Sequence, residues 1–337
     1  MRGLARRIRD GVNARLGSSA LILTYHRVAE LGTDPQLLAV RPDNFASQLR
    51  VLAERYQPVP LGEIASSPKR GSGAPIAVTF DDGYADNLFA ARLLLEAADV
   101  PATVFVASGC VESGREFWWD ELERIILGEL PMPAKLDVEV DGARFSTAIE
   151  QPDAPADPSW NVLLPDTSPR HRLYRELSAF LRPLPAAQRE AALEQVRAAF
   201  GTTAVTRESH RLLTAEEVAV LDASPTVEVG AHSADHDVLA LRMRAKQRDS
   251  IARDKAALEA ICGRRIDSFS YPYGGRDDYS GTTVRTVNDA GFRLACANTP
   301  GLVKPWTHRF RLPRFVVRDW DGDTLAANIE RWLGRQL

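Results

Sequence analysis

The chain has 337 residues, 45% of them hydrophobic and 26% charged, with a formal net charge of −3. That length admits one large α/β domain or two modest ones, and the composition excludes a disordered or low-complexity chain. The slight acidity gives no electrostatic reason to expect nucleic acid as a partner. Cys110, Cys262 and Cys296 are odd in number and fit no CxxC spacing, so they read as free thiols of a reducing compartment.

The first segment, Met1 to Arg9, is positively charged, but no apolar run follows it. A cleaved signal peptide is therefore not expected, and no stretch reaches the length of a membrane span. Leu4, Ile8, Val12 and Leu16 share one helical face among arginines. That pattern suits either a solvated helix packed on the domain or a basic helix in weak contact with an anionic membrane surface. The expected location is cytoplasmic, or peripheral on the inner membrane face.

From residue 20 onwards strand-like runs alternate with helix-like ones. The expected strands are 20–25, 76–80, 102–107, 226–231, 267–271, 292–297 and 310–317. The expected helices lie near 42–56, 85–98, 244–262 and 281–290, with one opening at Thr214 (Glu217 three residues on makes a capping box) and a last one carrying Leu325, Ile329 and Trp332. Such alternation implies βα units and a mainly parallel sheet, either a barrel or an open doubly wound sheet. Gly71-Ser72-Gly73 precedes a strand, does not match a phosphate-binding loop, and reads as a linker. Residues 112–212 break the rhythm. They open with the aromatic run Phe117-Trp118-Trp119, continue through a hairpin over 135–148 turning near Asp141-Gly142, and end in helices near 170–182 and 186–200. This segment reads as an insertion on the rim of the sheet.

The chemistry-bearing residues follow strands. Ile76-Ala77-Val78 feeds into Thr79-Phe80-Asp81-Asp82-Gly83, two adjacent carboxylates at a strand end. A fold keeps such a pair when a cation or proton offsets the repulsion and lost solvation. His232 and His236 follow Val227–Ala231, His26 follows the first strand, and Pro272-Tyr273-Gly274 follows another. One Asp and two His make a three-ligand metal site with room for water, which leaves the second Asp free as a base. Any one of these motifs has a structural explanation, as a turn, a cap or a surface pair. Their convergence at the carboxyl ends of parallel strands points to a metal-assisted hydrolase.

Taken in order, Thr79-Phe80-Asp81-Asp82-Gly83, His232-Ser233-Ala234-Asp235-His236 and Tyr271-Pro272-Tyr273-Gly274 resemble the motifs of the polysaccharide deacetylase family, carbohydrate esterase family 4. The resemblance runs from about Leu21 to Phe315, excluding the insertion. It implies an irregular (β/α) barrel spanning 1–337 as one catalytic domain, with 112–212 inserted. It further implies Asp81 as general base, Asp82, His232 and His236 as metal ligands, and the Tyr273 N–H as an oxyanion donor.

Two family features are missing. Position 269 is Phe where an arginine commonly orients the base, and no Leu-x-His follows His308. Arg311 or Arg314 is the substitute for the first. For the second, Leu23-Thr24-Tyr25-His26-Arg27-Val28 resembles the N-terminal Tyr-His motif of a permuted branch, which implies His26 as general acid. The implied activity is removal of N-acetyl groups from an amino sugar in a glycan or glycan precursor. The implied cofactor is Zn2+, with Co2+, Ni2+ or Fe2+ fitting the same ligands. Trp118, Trp119 and Arg314 are the expected substrate contacts. The alternatives are a same-fold hydrolase of a non-sugar amide or cyclic imide, and a silent glycan-binding protein.

Overall fold

Apolar and β-branched runs buried on both faces build the centre of the molecule, as a parallel sheet covered by helices requires. The computed structural model describes residues 19–65, 74–150 and 156–334. The expected N-terminal basic helix (residues 1–17) and the linker Gly71–Gly73 lie outside the described residues. Leu21–Tyr25 (β1) is buried throughout, and Pro42–Arg55 (α1) lays Phe45, Leu49 and Leu52 on the core. Pro75–Phe80 (β2), Arg92–Ala98 (α2) and Ala102–Val106 (β3) follow, with both strands again fully buried.

Residues 112–212, the segment expected as an insertion and called the inserted region below, contain Trp118–Ile126 (α3), a hairpin of Lys135–Val140 (β4) and Ala143–Ala148 (β5), Pro169–Leu181 (α4) and Ala186–Ala199 (α5). Asp141 and Gly142 take φ values of 48° and 83°. Left-handed values at both positions are what a two-residue hairpin turn demands. The second half of the barrel comprises Ala215–Asp222 (α6), Val227–Ala231 (β6), Arg244–Cys262 (α7), Ser268–Ser270 (β7), Gly281–Asp289 (α8), Leu294–Cys296 (β8), Phe315–Val316 (β9) and Gly322–Trp332 (α9). Thr214 and Glu217 form the expected capping box on α6.

The strands lie in the order β8–β7–β6–β3–β2–β1–β9, and every neighbouring pair is parallel. The sheet curls until one segment bridges its edges. Leu312 pairs with Cys296 on β8, and three residues later Phe315 and Val316 pair with β1. The strand expected over 310–317 is therefore split, because its two ends serve opposite edges of the sheet. This is the irregular (β/α) barrel.

The barrel and the inserted region have separate apolar clusters. One gathers β1, β2, β3 and β6 with the helices around them. The other gathers Phe117, Trp119, Leu136, Val138, Tyr174, Leu177, Leu193 and Val196. No helix among the described residues is long and apolar enough to cross a membrane.

Candidate active site

Strand register decides which loops meet. β1 and β2 run side by side with Tyr25 opposite Phe80, so His26 and Asp81 leave the sheet together, and the Asp81 N–H donates to the Tyr25 carbonyl at 3.0 Å. The chain then turns through two left-handed residues, Asp82 at φ 80° and Gly83 at φ 78°. A side chain on Gly83 would also press its Cβ to within 3.2 Å of Val106. Ser233, His236 and Tyr273 are left-handed as well, at 60°, 46° and 61°. Non-glycine residues held in this region cost energy locally and cluster where a site fixes side-chain direction.

Asp82, His232 and His236 are all buried, with one donor atom from each lying within 4.8 Å of the others. The Asp82 Oδ1 sits 3.4 Å from the His232 Nε2 and 3.2 Å from the His236 Nε2. His232 Nδ1 lies 2.8 Å from the Ser270 carbonyl, an acceptor that puts the proton on Nδ1 and leaves the Nε2 lone pair facing Asp82. His236 Nδ1 is buried without a partner among the described residues. Burial raises the Asp82 carboxyl, but the two imidazoles outweigh it and hold the group far below the usual carboxylate range. Burial lowers both histidines. At His232 the Asp81 and Asp82 carboxylates win and raise the ring above its ordinary value, whereas at His236 burial wins. Two imidazoles and a carboxylate converging in this way fit a divalent transition metal.

Asp81 takes no part in that cluster. Burial raises its carboxyl, but the Arg314 guanidinium outweighs burial and holds it below the ordinary value. Arg314 Nη1 and Nη2 donate to Asp81 Oδ1 and Oδ2 at 2.8 and 2.6 Å. Its other donors reach Thr79 Oγ1, Ser270 Oγ and the Ala297 carbonyl, so all five N–H groups are engaged on a fully buried side chain. This corrects the expectation of Arg314 as a substrate contact: it has no donor left for a ligand. It grips Asp81 from the edge-bridging segment, as expected of Arg311 or Arg314, while Phe269 packs in the core.

A cavity of about 440 Å³ opens above these groups, lined by His26, Asp81, Asp82, His232, His236 and Tyr273 on one side. The inserted region supplies Trp118, Trp119, Ser178, Ala179 and Arg182 to its wall. Both tryptophans are over nine-tenths buried. Trp119 stacks on Phe117 at 4.3 Å and meets His236 edge-on at 5.2 Å, while Trp118 Nε1 donates to the Tyr273 hydroxyl at 3.2 Å. Tyr273 heads a tight turn closed by the Gly274 N–H to the Pro272 carbonyl, and its ring lies between His236 and the Arg182 guanidinium.

His26 is fixed through its backbone. Its carbonyl accepts from Asn87 Nδ2 at 2.9 Å, and Asp86 binds Arg27 Nε and the Val28 N–H on the following residues. Asn87 opens a short π-helical turn, Asn87–Ala91, ahead of α2, a local rewinding frequent at functional sites. Burial lowers the His26 imidazole despite the opposing pull of Asp82 and Asp81.

Several contributors are absent from the sequence reading. Asp254 on α7 accepts from the Ser108 and His232 N–H groups, both at 2.8 Å, and so ties the ends of β3 and β6 together. Burial pushes its carboxyl up to about 6. Its signal was available: an acid at the helical spacing Ile251, Asp254, Leu258, between two apolar residues of the buried face. Arg182, Asn298 and Arg318 also line the cavity, and nothing in their local sequence marks them.

A family profile described as "Polysaccharide deacetylase" matches residues 69–127 and 192–295. The two matched stretches carry the aspartate pair and the histidine motif. No curated protein matches the sequence. Among solved structures, the Streptococcus pyogenes deacetylase PplD in complex with acetate aligns with a TM-score of 0.58 at 15% identity, covering 92% of this chain and 97% of its own. IcaB from Ammonifex degensii aligns at 0.54 and 18%, covering 94% and 97%. A de-N-acetylase from Aggregatibacter actinomycetemcomitans aligns at 0.56 and 12%, covering 92% and 99%. At these identities the structures speak for a shared fold.

Proposed function

Because the chain belongs to the polysaccharide deacetylase family, we propose that it is a metal-dependent hydrolase of the permuted branch, removing the N-acetyl group from an amino sugar in a glycan or glycan precursor. The observation that carries this reading is the division of labour between the paired aspartates. Asp82 faces two imidazoles, while Asp81, one residue away, is clamped by Arg314 and left outside the ligand cluster.

Asp82, His232 and His236 would hold the metal, with zinc the first choice for this donor set. Such an ion supplies Lewis acidity, polarising the amide carbonyl and bringing the pKa of a water from ~15.7 towards ~7. Asp81 then accepts the water's proton. Arg314 keeps that carboxylate ionised and fixes both its oxygens, so the base needs no reorientation as the reaction proceeds. The Tyr273 N–H, which has no acceptor among the described residues, donates to the oxygen that gains charge, a contribution of ~3 kcal/mol for a donor of this kind. His26, which leaves the sheet beside Asp81, gives a proton to the departing amine. Its depressed affinity for protons makes it a ready donor once it is charged.

The test is acetate release by zinc-loaded protein from N-acetylated sugars and oligosaccharides, run beside a panel of cyclic imides. Release from the sugars alone is expected. Turnover of imides without sugars would assign the same site to a different amide chemistry.

A further inference from the structure

The cavity holds two arginines whose circumstances differ. Arg182 is neutralised: its Nη2 lies 2.6 Å from Asp278 Oδ1, and its plane rests on the Tyr273 ring at 4.3 Å. Arg318 has no carboxylate within ion-pair distance among the described residues. Its Nη1 donates to the Gln36 and Leu37 carbonyls, neutral acceptors on the loop after β1. The nearby Asp34 carboxylate, held by the Leu38 and Ala39 N–H groups, offsets part of the Arg318 charge from beyond ion-pair distance. Arginine stays charged at any accessible pH, and a cation kept partly from water without a counter-charge is costly.

The arrangement around Arg318 leaves its charge as the one with no direct ion pair among the described residues. Asp81 is matched by Arg314 and Arg182 by Asp278, while Asp82 belongs to the candidate metal cluster. Arg318 is close enough to His26 to oppose its protonation, which puts the guanidinium on the His26 side of the cavity. Of its groups, only Nη1 is committed, so Nε and Nη2 remain to take a ligand. Two buried polar atoms on the same lining, Ser178 Oγ and Asn298 Oδ1, also lack partners and suit sugar hydroxyls.

Building on the deacetylase reading, we propose that Arg318 recognises an oxyanion on the substrate, so that the preferred substrate class is an acidic N-acetylated sugar bearing a carboxylate or a phosphate near the acetamido group. A guanidinium recognises both anions through charge-assisted hydrogen bonds, which strengthen where water is partly excluded.

Calorimetric titration of the full-length, metal-free protein tests this without turnover and without an ion that could itself draw the anion. The probes are N-acetylglucosamine, N-acetylglucosamine 1-phosphate and N-acetylmuramic acid, which separate the neutral sugar from the phosphate and the carboxylate. At least one acidic probe is expected to bind about tenfold tighter or more than the neutral one. Arg318→Gln should erase that preference while leaving N-acetylglucosamine binding and Tm near wild type, and Arg318→Lys should retain part of it. Equal binding of all three probes by the wild type, or binding of none, overturns the proposal. So does a loss in Arg318→Gln that is equal for neutral and acidic probes, the result expected if Arg318 only braces the 36–37 loop. Should Arg318→Gln not fold, Arg318→Lys decides: a ratio of acidic to neutral affinity that stays above one supports charge recognition, and a ratio of one contradicts it. Acetate release from neutral sugars is a separate readout, so the deacetylase reading and the acidic preference can fail independently.

Discussion

The floor of the cavity and its far wall are built in opposite ways. On the floor, where the barrel strands end, the polar groups around Asp81 and His232 are committed, while His236 Nδ1 is not. Arg314 uses every donor it has, Asp81 is held through both oxygens, and His232 Nδ1 is anchored on the Ser270 carbonyl. On the wall, where the inserted region meets residues 298 and 318, polar atoms are buried but uncommitted. The closed network around Asp81 holds the reacting group in one geometry, which suits proton transfer. A surface with spare donors and acceptors suits a ligand that must bind and leave.

The comparison breaks most visibly if the floor is edited. His26→Ala should lower kcat for acetate release by roughly 10²–10⁴ with little change in KM, as loss of a proton donor implies. Wild-type kcat in that variant would assign the acid to another residue. Arg314→Lys is expected to cost roughly 10–100-fold in kcat, the usual scale for a group that orients a reacting one. A lysine keeps the charge but cannot grip both oxygens of Asp81. Metal content should be unchanged, and a loss of metal instead would mean that Arg314 supports the ligands and not the base.

The smallest expected effect belongs to the wall, and it is a matter of stability. Burial pushes the Asp120 carboxyl up to about 8, against the partial relief of Arg27 and the Tyr84 hydroxyl. The hydroxyl donates to Asp120 at 2.7 Å and accepts from Trp119 Nε1 at 2.9 Å, tying the first helix of the inserted region to the aspartate-pair loop. In the unfolded chain this carboxyl ionises near its ordinary value of ~4. Between there and pH 8 the folded form keeps a proton that the unfolded form gives up, so raising the pH through that window favours unfolding. Asp120→Asn cannot ionise. Its Tm should match wild type near pH 4 and exceed it by a margin that grows towards pH 8. A constant difference across the range would show that Asp120 does not hold its proton in the folded state.

The same divide explains what was legible in the sequence. Floor residues follow apolar strand runs within one or two positions, so Asp81, Asp82, His232 and Tyr273 could be placed at strand ends from local pattern alone. The alternation of runs also implied a mainly parallel sheet, while the barrel, as against an open sheet, came from the family resemblance. Arg314 was expected as one of two arginines that orient Asp81 and also as a substrate contact. The choice between these roles was not legible because its partner lies 233 residues away, and only the edge-bridging path of 309–316 brings them together. Inside the inserted region, the hairpin at 135–148 and the two long helices were readable from turn residues and helical spacing. That Ser178 and Arg182, at the end of α4, reach the cavity was not. Helix docking is set by packing among Leu173, Leu177, Leu193 and their neighbours, and no local spacing encodes it. Trp118 and Trp119 look alike in sequence, yet Trp119 is packed flat on Phe117 and Trp118 hydrogen-bonds Tyr273.

The central claim is that the two adjacent aspartates do different work, one holding a metal and the other moving a proton. Metal stoichiometry and acetate release measured on the same preparations of wild type, Asp81→Asn and Asp82→Asn separate them. Asp81→Asn should keep its metal and lose acetate release, while Asp82→Asn should lose both. Equal loss of metal in the two variants, or near wild-type turnover in Asp81→Asn, would contradict the division.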